Sequence, residues 1–335
     1  MATITLSSFT KTISPFPFSK ISWRGWGSAL IFILSYSFLA YKLITFNRYS
    51  ELSDELNQIP FSKFSWLAGV FILLPLNWLL ESLKWRMLVA KVQNVSLINS
   101  LQAVLAGIFT GFFTPNRVGE LVGRVGFLEK ENQKAGVTLS VVNSLTQNLI
   151  MALCGIPACI LFYLYKGEIL KLNIAGYLSV VSLCLLSFGI LYFILPYLSR
   201  QLKFKKVAAK LSPFTVCLSD YSKMDLLKVM LVTLIRYSVF CTQFYFILRF
   251  FGVSLEVWQA LIAIPTSYLF VSFTPSIAFS EAAVRSSYAV LFIGAFSSQE
   301  IPIILAGVSI WFVNFVVPML VGSVVMIKST NLIKT

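Results

Sequence analysis

Long apolar runs dominate the chain, and short polar segments separate them. Three of these runs, Trp26–Phe46, Ile174–Leu195 and Ile301–Ile327, are nearly uncharged and are each about 20 or more residues long. A helix of that length crosses roughly 30 Å of hydrocarbon. We therefore predict an all-α, polytopic integral membrane helical bundle with about six or seven spans, in which residues 26–335 form a single transmembrane domain.

The composition agrees with this pattern. The chain is 57% hydrophobic and only 12% charged, and a soluble domain of 335 residues could not bury so much apolar surface. A net charge of +14 would suggest a nucleic-acid partner in a soluble protein. Here the basic residues fall in short loops between spans, as expected of cytoplasmic loops. We expect the membrane, and no nucleic acid, as the partner.

The residue types argue against hydrolytic or metal chemistry. Histidine is absent, which removes the commonest general base and the commonest metal ligand. The cysteines are scattered and show no disulfide or zinc framework; they are Cys154, Cys159, Cys184, Cys217 and Cys241. We expect no catalytic residue, metal or cofactor, and we expect that the chain is not an enzyme.

Charge asymmetry orients the spans. Residues 1–25 contain basic but no acidic side chains, so this N-terminal segment should be cytoplasmic and the first span an uncleaved signal anchor. The basic loop over about residues 197–225 should also be cytoplasmic. Lys328 and Lys334 assign the C-terminus to the same side. These features predict a multi-pass protein of the inner (cytoplasmic) membrane with both termini in the cytoplasm.

With these sides assigned, two segments must each begin and end on one side of the membrane. Residues 95–133 should start and finish inside, and residues 255–298 should start and finish outside. Each is then a hairpin, either re-entrant or made of two crossing helices. Pro115 and Pro275 would break the helix at the two turns, where backbone groups can line a cavity.

The two hairpins resemble each other in sequence. Each has Phe-Thr-Pro at its turn, then a glutamate, then an arginine four residues later: Glu120 with Arg124, and Glu281 with Arg285. A Val-Ser-Leu followed by Gln-Ala precedes each turn. The similarity and the opposite openings predict an inverted repeat around a site near the midplane. The first unit covers about residues 64–165 and the second about residues 226–327.

The first hairpin has the richer set of polar residues. Arginine stays charged in apolar surroundings and binds phosphate oxygens bidentately, so Arg117 and Arg124 suit a phosphate-bearing lipid. Anchoring at the membrane interface is the alternative for Arg117. Glycines at positions 119, 123 and 126 leave one helix face with little bulk. They permit close contact between helices or close approach of a lipid headgroup.

Each glutamate and arginine of a hairpin can pair on one helix face, so the pairs either bind a ligand or only hold the hairpins together. Glu81 lies deeper in its span than Lys84, whose ammonium group can snorkel to the interface. Arg236 lies about ten residues into an apolar run and should face a carboxylate or a polar cavity; Glu281 or Glu120 would serve as the carboxylate. The candidate lipid-binding residues are Glu81, Arg117, Glu120, Arg124, Arg236, Glu281 and Arg285, with Pro115, Gly119 and Pro275 at the hairpin turns.

Three stretches resemble the flippase-like membrane domain that is shared with lysylphosphatidylglycerol synthases. They are Glu81–Arg86, the motif within Pro115–Arg124, and a late proline followed by Glu281. The similarity covers roughly Trp66 to Lys328. It implies a multi-span domain that moves or accommodates polar lipids, such as aminoacylated phosphatidylglycerol or isoprenoid-linked molecules.

The sequence departs from this family in two ways. In the span after the motif it has the neutral residues Asn143, Ser144 and Gln147 where many members place charged ones. A polar patch of that kind is more typical of helix–helix contact than of a binding site. The soluble aminoacyltransferase domain is also absent, which argues against lipid synthesis by this stand-alone membrane domain.

These features predict a flippase-like transporter that translocates or accommodates an anionic phospholipid or a polyprenyl-phosphate-type lipid. The arginines would hold the headgroup phosphate, and Glu120 or Glu281 would be a switchable counter-charge. Two alternatives remain open. One is a membrane-embedded transferase acting on a lipid-linked substrate, although no Asp-x-Asp metal motif is present. The other is a non-catalytic membrane partner of a separate lipid-modifying enzyme.

Overall fold

A computed structural model describes five stretches of the chain: residues 60–114, 117–166, 174–202, 216–274 and 278–332. Every regular element within them is helical, which confirms the predicted all-α class. Several predicted features lie outside these stretches: the N-terminal segment, the span Trp26–Phe46, Pro115, Pro275, Lys334 and much of the basic loop.

The described stretches contain ten α-helices. They are α1 Phe64–Val89, α2 Leu97–Phe112, α3 Gly119–Val125, α4 Gln133–Lys166, α5 Ile174–Leu202, α6 Lys223–Phe250, α7 Val257–Phe273, α8 Ala278–Ile293, α9 Glu300–Trp311 and α10 Val317–Leu332. A π-helical turn, Phe312–Val316, joins α9 to α10. Pro318 has no N–H to bond the carbonyl of Asn314 four residues earlier, and this turn lies at that interruption.

Four helical segments of the described chain are long and apolar enough to cross a membrane. They are Phe61–Val89, Lys130–Lys166, Lys223–Phe250 and Glu300–Lys328, with mean hydropathy between 1.5 and 2.2. Large apolar side chains on them are exposed, among them Ile72 at 72% and Leu164 at 71%. Lipid tails are as apolar as these side chains and can cover them. The chain is therefore a multi-pass membrane protein.

The repeated Val-Ser-Leu lies where each hairpin begins. Val95 and Val253 are buried in short connectors that follow α1 and α6. Ser96 caps α2, because its hydroxyl accepts a hydrogen bond from the amide of Asn99 at 3.2 Å. The sequence similarity therefore marks the connector before the first helix of each hairpin, although in the second hairpin Glu256, and not Ser254, is the N-cap residue.

The two hairpins differ in the length of their returning helix. The α3 helix has 7 residues and is only about 10 Å long, too short to cross the hydrocarbon by itself. This length favours the re-entrant form for the first hairpin. In the second hairpin α7 has 17 residues and α8 has 16, so both helices are about 25 Å long.

The helices pack in a reciprocal pattern. The long helices α1 and α6 run against each other, and each hairpin packs against the last long helix of the other unit: α2 against α10, and α7 against α4. Two structurally related units would be expected to pack in this reciprocal way. The opposite orientation of the two units in the membrane stays a prediction. At the contact between α1 and α6, polar side chains of several helices meet.

Candidate functional site

Helix α1 places three polar side chains on one face. Asn77, Glu81 and Lys84 follow one another at spacings of four and three residues, so they line up along the helix. All three are buried; Lys84 has no exposed surface, and its Nζ lies 3.0 Å from Oε2 of Glu81. The expectation that Lys84 snorkels to the interface is wrong, because a carboxylate one helical turn away pairs with its ammonium group inside the protein.

Helix α3 places Arg124 between two carboxylates. Its Nη1 lies 2.5 Å from Oε1 of Glu81, and its Nη2 lies 3.1 Å from Oε2 of Glu120 on its own helix. Nη2 of Arg117 lies 2.7 Å from Oε1 of Glu120. Glu120 therefore forms ion pairs with two arginines, and Arg124 links the first hairpin to α1.

Two glycines of α3 make this approach possible. A Cβ atom at Gly123 would lie 2.6 Å from the carbonyl oxygen of Ala106 on α2, and one at Gly119 would overlap the carbonyl oxygen of Thr110. Such distances are too short for any side chain. The Thr110 hydroxyl also donates to the Gly119 carbonyl at 2.7 Å. Gly119 and Gly123 therefore serve close contact between α2 and α3.

Arg236 joins the same group from the middle of α6. Its Nη1 lies 2.8 Å from Oε2 of Glu81, and its Nε donates to the Asn77 side chain at 2.8 Å. Neither Glu281 nor Glu120 forms an ion pair with Arg236 in the described structure, so the prediction of these partners is wrong. Glu81 is the partner because α6 packs along α1, whose polar face meets Arg236 directly.

Several neutral side chains complete the arrangement, although their pattern in the sequence is more typical of helix–helix contact. Asn143 donates to Oε1 of Glu81 at 3.0 Å, and Gln147 accepts from Nη1 of Arg236 at 2.9 Å. Asn77 donates to Asn314 in the π-helical turn at 3.0 Å. Amide side chains within otherwise apolar spans were the available signal, but the sequence did not show that they converge on the same charges.

The second hairpin contributes a separate ion pair that meets the first hairpin at an aromatic ring. Nη2 of Arg285 lies 2.6 Å from Oε1 of Glu281 within α8. The guanidinium groups of Arg285 and Arg117 lie 4.5 Å and 4.4 Å from the centre of the Phe315 ring. Both distances suit cation–π contact. Phe315, in the π-helical turn, therefore connects the charged groups of the two hairpins.

We call the six charged residues linked through Glu81 and Glu120 the ion-pair network: Glu81, Lys84, Arg117, Glu120, Arg124 and Arg236. Among these described residues four cations share two carboxylates. Side-chain exposure rises from 0% at Lys84 and 4% at Arg124 to 16% at Arg236 and 30% at Arg117. The network is closed at one end and partly accessible at the other.

Some buried donors at the network have no hydrogen-bond partner in the described structure. They include Nε of Arg124, Nδ2 of Asn314 and the indole nitrogen of Trp85. The centre of the Trp85 ring lies 5.9 Å from Cζ of Arg124. Buried donors without partners are costly, and a ligand or water would satisfy them. Among all the residues that the structure describes, no group of three or more His, Cys, Asp or Glu side chains could hold a metal ion.

A helical bundle whose described part has four segments able to span a membrane, with an ion-pair network among its helices, defines a multi-pass membrane protein. Residues 26–322 match the family model described as the lysylphosphatidylglycerol synthase TM region, and the chain belongs to that family. The match confirms the resemblance and makes the chain a lipid-related membrane protein. Comparison with curated proteins gave no match, and neither did comparison with solved structures.

Proposed function

We propose that this protein is a flippase-type transporter that translocates or accommodates an anionic phospholipid or a polyprenyl-phosphate-type lipid. The observation that carries the proposal is the ion-pair network, in which cations outnumber carboxylates at the partly accessible end. Uncompensated charge is expensive at bilayer depth, and retaining it there favours a role in binding an anion. A phosphate would supply the missing negative charge, and arginine is the side chain best suited to bind it.

The position of Glu120 supports an exchange mechanism. Its carboxylate forms ion pairs with Arg117 and Arg124, and 23% of its side chain is exposed. A headgroup phosphate entering at Arg117 would take over these contacts, and Glu120 would return to them after the lipid leaves. Phe315 contacts the arginines of both hairpins, so a displacement of one hairpin would change the contacts of the other.

Reconstitution of the purified protein tests the proposal. Liposomes would contain fluorescent phosphatidylglycerol or a fluorescent polyprenyl phosphate, and bleaching of the outer leaflet with dithionite would report transport. We expect Arg124→Gln to reduce the rate at least about tenfold, because the side chain binds two carboxylates and faces the headgroup. Arg249→Gln is the matched control, since Arg249 lies over the ring of Trp66 outside the network. Equal transport by Arg124→Gln and wild type would refute the proposal.

The same liposomes distinguish the alternative functions. We propose that the chain catalyses no bond change, so mass spectrometry should recover the lipid unaltered after transport. A changed lipid mass that requires an added lipid-linked donor would instead identify a membrane transferase. Transport that occurs only after a second protein is added would identify a non-catalytic partner of a lipid-modifying enzyme.

A further inference from the structure

The strongest feature not yet used is the size of the charge imbalance in the ion-pair network. Glu81 is shared by Lys84, Arg124 and Arg236, and Glu120 is shared by Arg117 and Arg124. The network therefore has two more cations than carboxylates among the described residues. The pair of Arg285 and Glu281, which meets Arg117 at Phe315, is balanced and leaves this excess unchanged.

We infer that the network selects a lipid with a terminal phosphate monoester, whose two negative charges match this excess, over a phosphodiester lipid. The inference rests on the proposed function and narrows its substrate class. A phosphodiester such as phosphatidylglycerol carries one negative charge and would leave one buried cation uncompensated. A phosphate monoester carries about −1.5 to −2 charges at pH 7 and presents three strong acceptor oxygens.

The hydrogen-bond donors of the network fit three acceptor oxygens. Nη1 and Nη2 of Arg124 are bound to carboxylates, but its Nε is buried and has no partner within the described structure. Arg117 forms one ion pair through Nη2, and 30% of its side chain is exposed. A guanidinium group has five N–H donors, so Arg117 has donors left for a ligand. The terminal oxygens of a monoester can accept from both arginines, whereas a diester has one oxygen fewer.

Two variants change the charge excess in opposite directions at the accessible end. Glu120→Gln removes a carboxylate that competes with the phosphate, so the excess rises and monoester binding should tighten. Arg117→Gln lowers the excess to one, which matches the single charge of a diester. The ratio of monoester affinity to diester affinity should therefore fall. Both substitutions break the same contact between Arg117 and Glu120, so a purely structural disturbance would not move binding in opposite directions.

Binding is measured on the full chain in detergent micelles, through the rise in melting temperature with added lipid. The probes are phosphatidic acid, phosphatidylglycerol with the same acyl chains, and inorganic phosphate. We expect phosphatidic acid to bind at least about tenfold more tightly than phosphatidylglycerol. Arg117→Gln should reduce that ratio, Glu120→Gln should increase it, and Arg249→Gln should leave it unchanged.

Each result separates this inference from the proposed function. Equal or tighter binding of phosphatidylglycerol by the wild type overturns the monoester preference, while transport in liposomes would still support the flippase. Inorganic phosphate that binds as tightly as phosphatidic acid overturns a lipid ligand and indicates a soluble phosphate. If no probe binds and no lipid is transported, both proposals fail. Tighter binding of phosphatidic acid with the expected responses of both variants supports the inference.

Discussion

Arg117 has a backbone φ of +59°, in the left-handed region that costs a non-glycine residue about 1–2 kcal/mol. Its amide donates to the Thr114 carbonyl at 3.1 Å, and its side chain is fixed by Glu120 and Phe315. Glycine would fit this backbone without strain. Strained residues of this kind concentrate at functional sites. We therefore expect the side chain at this position to have a role that outweighs its local cost.

Replacing Arg117 separates stability from function. We expect Arg117→Gly to be at least as stable as Arg117→Ala, by up to about 1 kcal/mol, because alanine retains the unfavourable φ. Both variants should lose lipid transport, since both remove the guanidinium group. Thermal unfolding in micelles and the liposome assay measure the two quantities. Normal transport by either variant would show that Arg117 is only an interface anchor.

Glu81 should be the most important single charge for stability. It is buried and forms ion pairs with three cations. Glu81→Gln would remove the ion-pair partner of Lys84 and Arg236 and would leave Arg124 paired with Glu120 alone. Loss of one partner from a buried ion pair costs about 3–5 kcal/mol. Glu120→Gln should cost less, because the Glu120 side chain is partly exposed. Unfolding by added dodecyl sulfate measures both, and equal losses would contradict the structure.

At the level of elements, the first hairpin depends on how closely α2 and α3 approach. A Cβ atom at Gly123 would lie 2.6 Å from both the Ala106 carbonyl oxygen and the Gly107 Cα atom, and these backbone atoms cannot rotate away. Any separation of α3 from α2 would also move Arg124 away from Glu81. The ion pair that links the hairpin to α1 therefore depends on glycines that carry no charge.

Gly123→Ala tests this dependence. We expect a loss of about 1–3 kcal/mol in the free energy of unfolding, typical of overpacking, together with reduced transport. Gly189→Ala on α5 is the control, because a Cβ atom there would meet nothing nearer than Leu149 at 3.9 Å. That variant should be as stable as the wild type or slightly more stable. Equal effects of the two substitutions would show that contact between α2 and α3 is not limiting.

At the level of the whole molecule, each hairpin packs against the last long helix of the other unit. A ligand bound at the first hairpin would thereby influence both units. Two units in opposite orientation would let one rock against the other around the ion-pair network. The inverted repeat and the cytoplasmic position of both termini are predictions, and both can be tested directly in the membrane.

Labelling of single cysteines from each side of the membrane tests the orientation. In a background without the five native cysteines, Asn116→Cys and Ser276→Cys place one thiol in each hairpin turn. We expect a membrane-impermeant maleimide to label them from opposite faces of oriented inner-membrane vesicles. Labelling of both turns from the same face would exclude the inverted repeat and would leave the spanning helices unaffected.

Local features could be predicted from the sequence because they depend on spacing along one helix. The hydrophobic pattern predicted α5 and the helical segment Glu300–Lys328 closely, since the long apolar runs Ile174–Leu195 and Ile301–Ile327 lie there. The pairs Glu120 with Arg124 and Glu281 with Arg285 form in the structure because residues four apart lie on one helix face.

The remaining contacts depend on which helices pack together, and spacing along the chain does not contain that information. Arg236 binds Glu81, which is far away in sequence, because α6 lies along α1. Lys84 is buried for the same reason, since the neighbouring helices close over it. The sequence by itself determined a helical membrane protein and the residues that carry its charge. Only the tertiary structure decided that four cations share two carboxylates, because ion pairs between helices form where packing brings the side chains together.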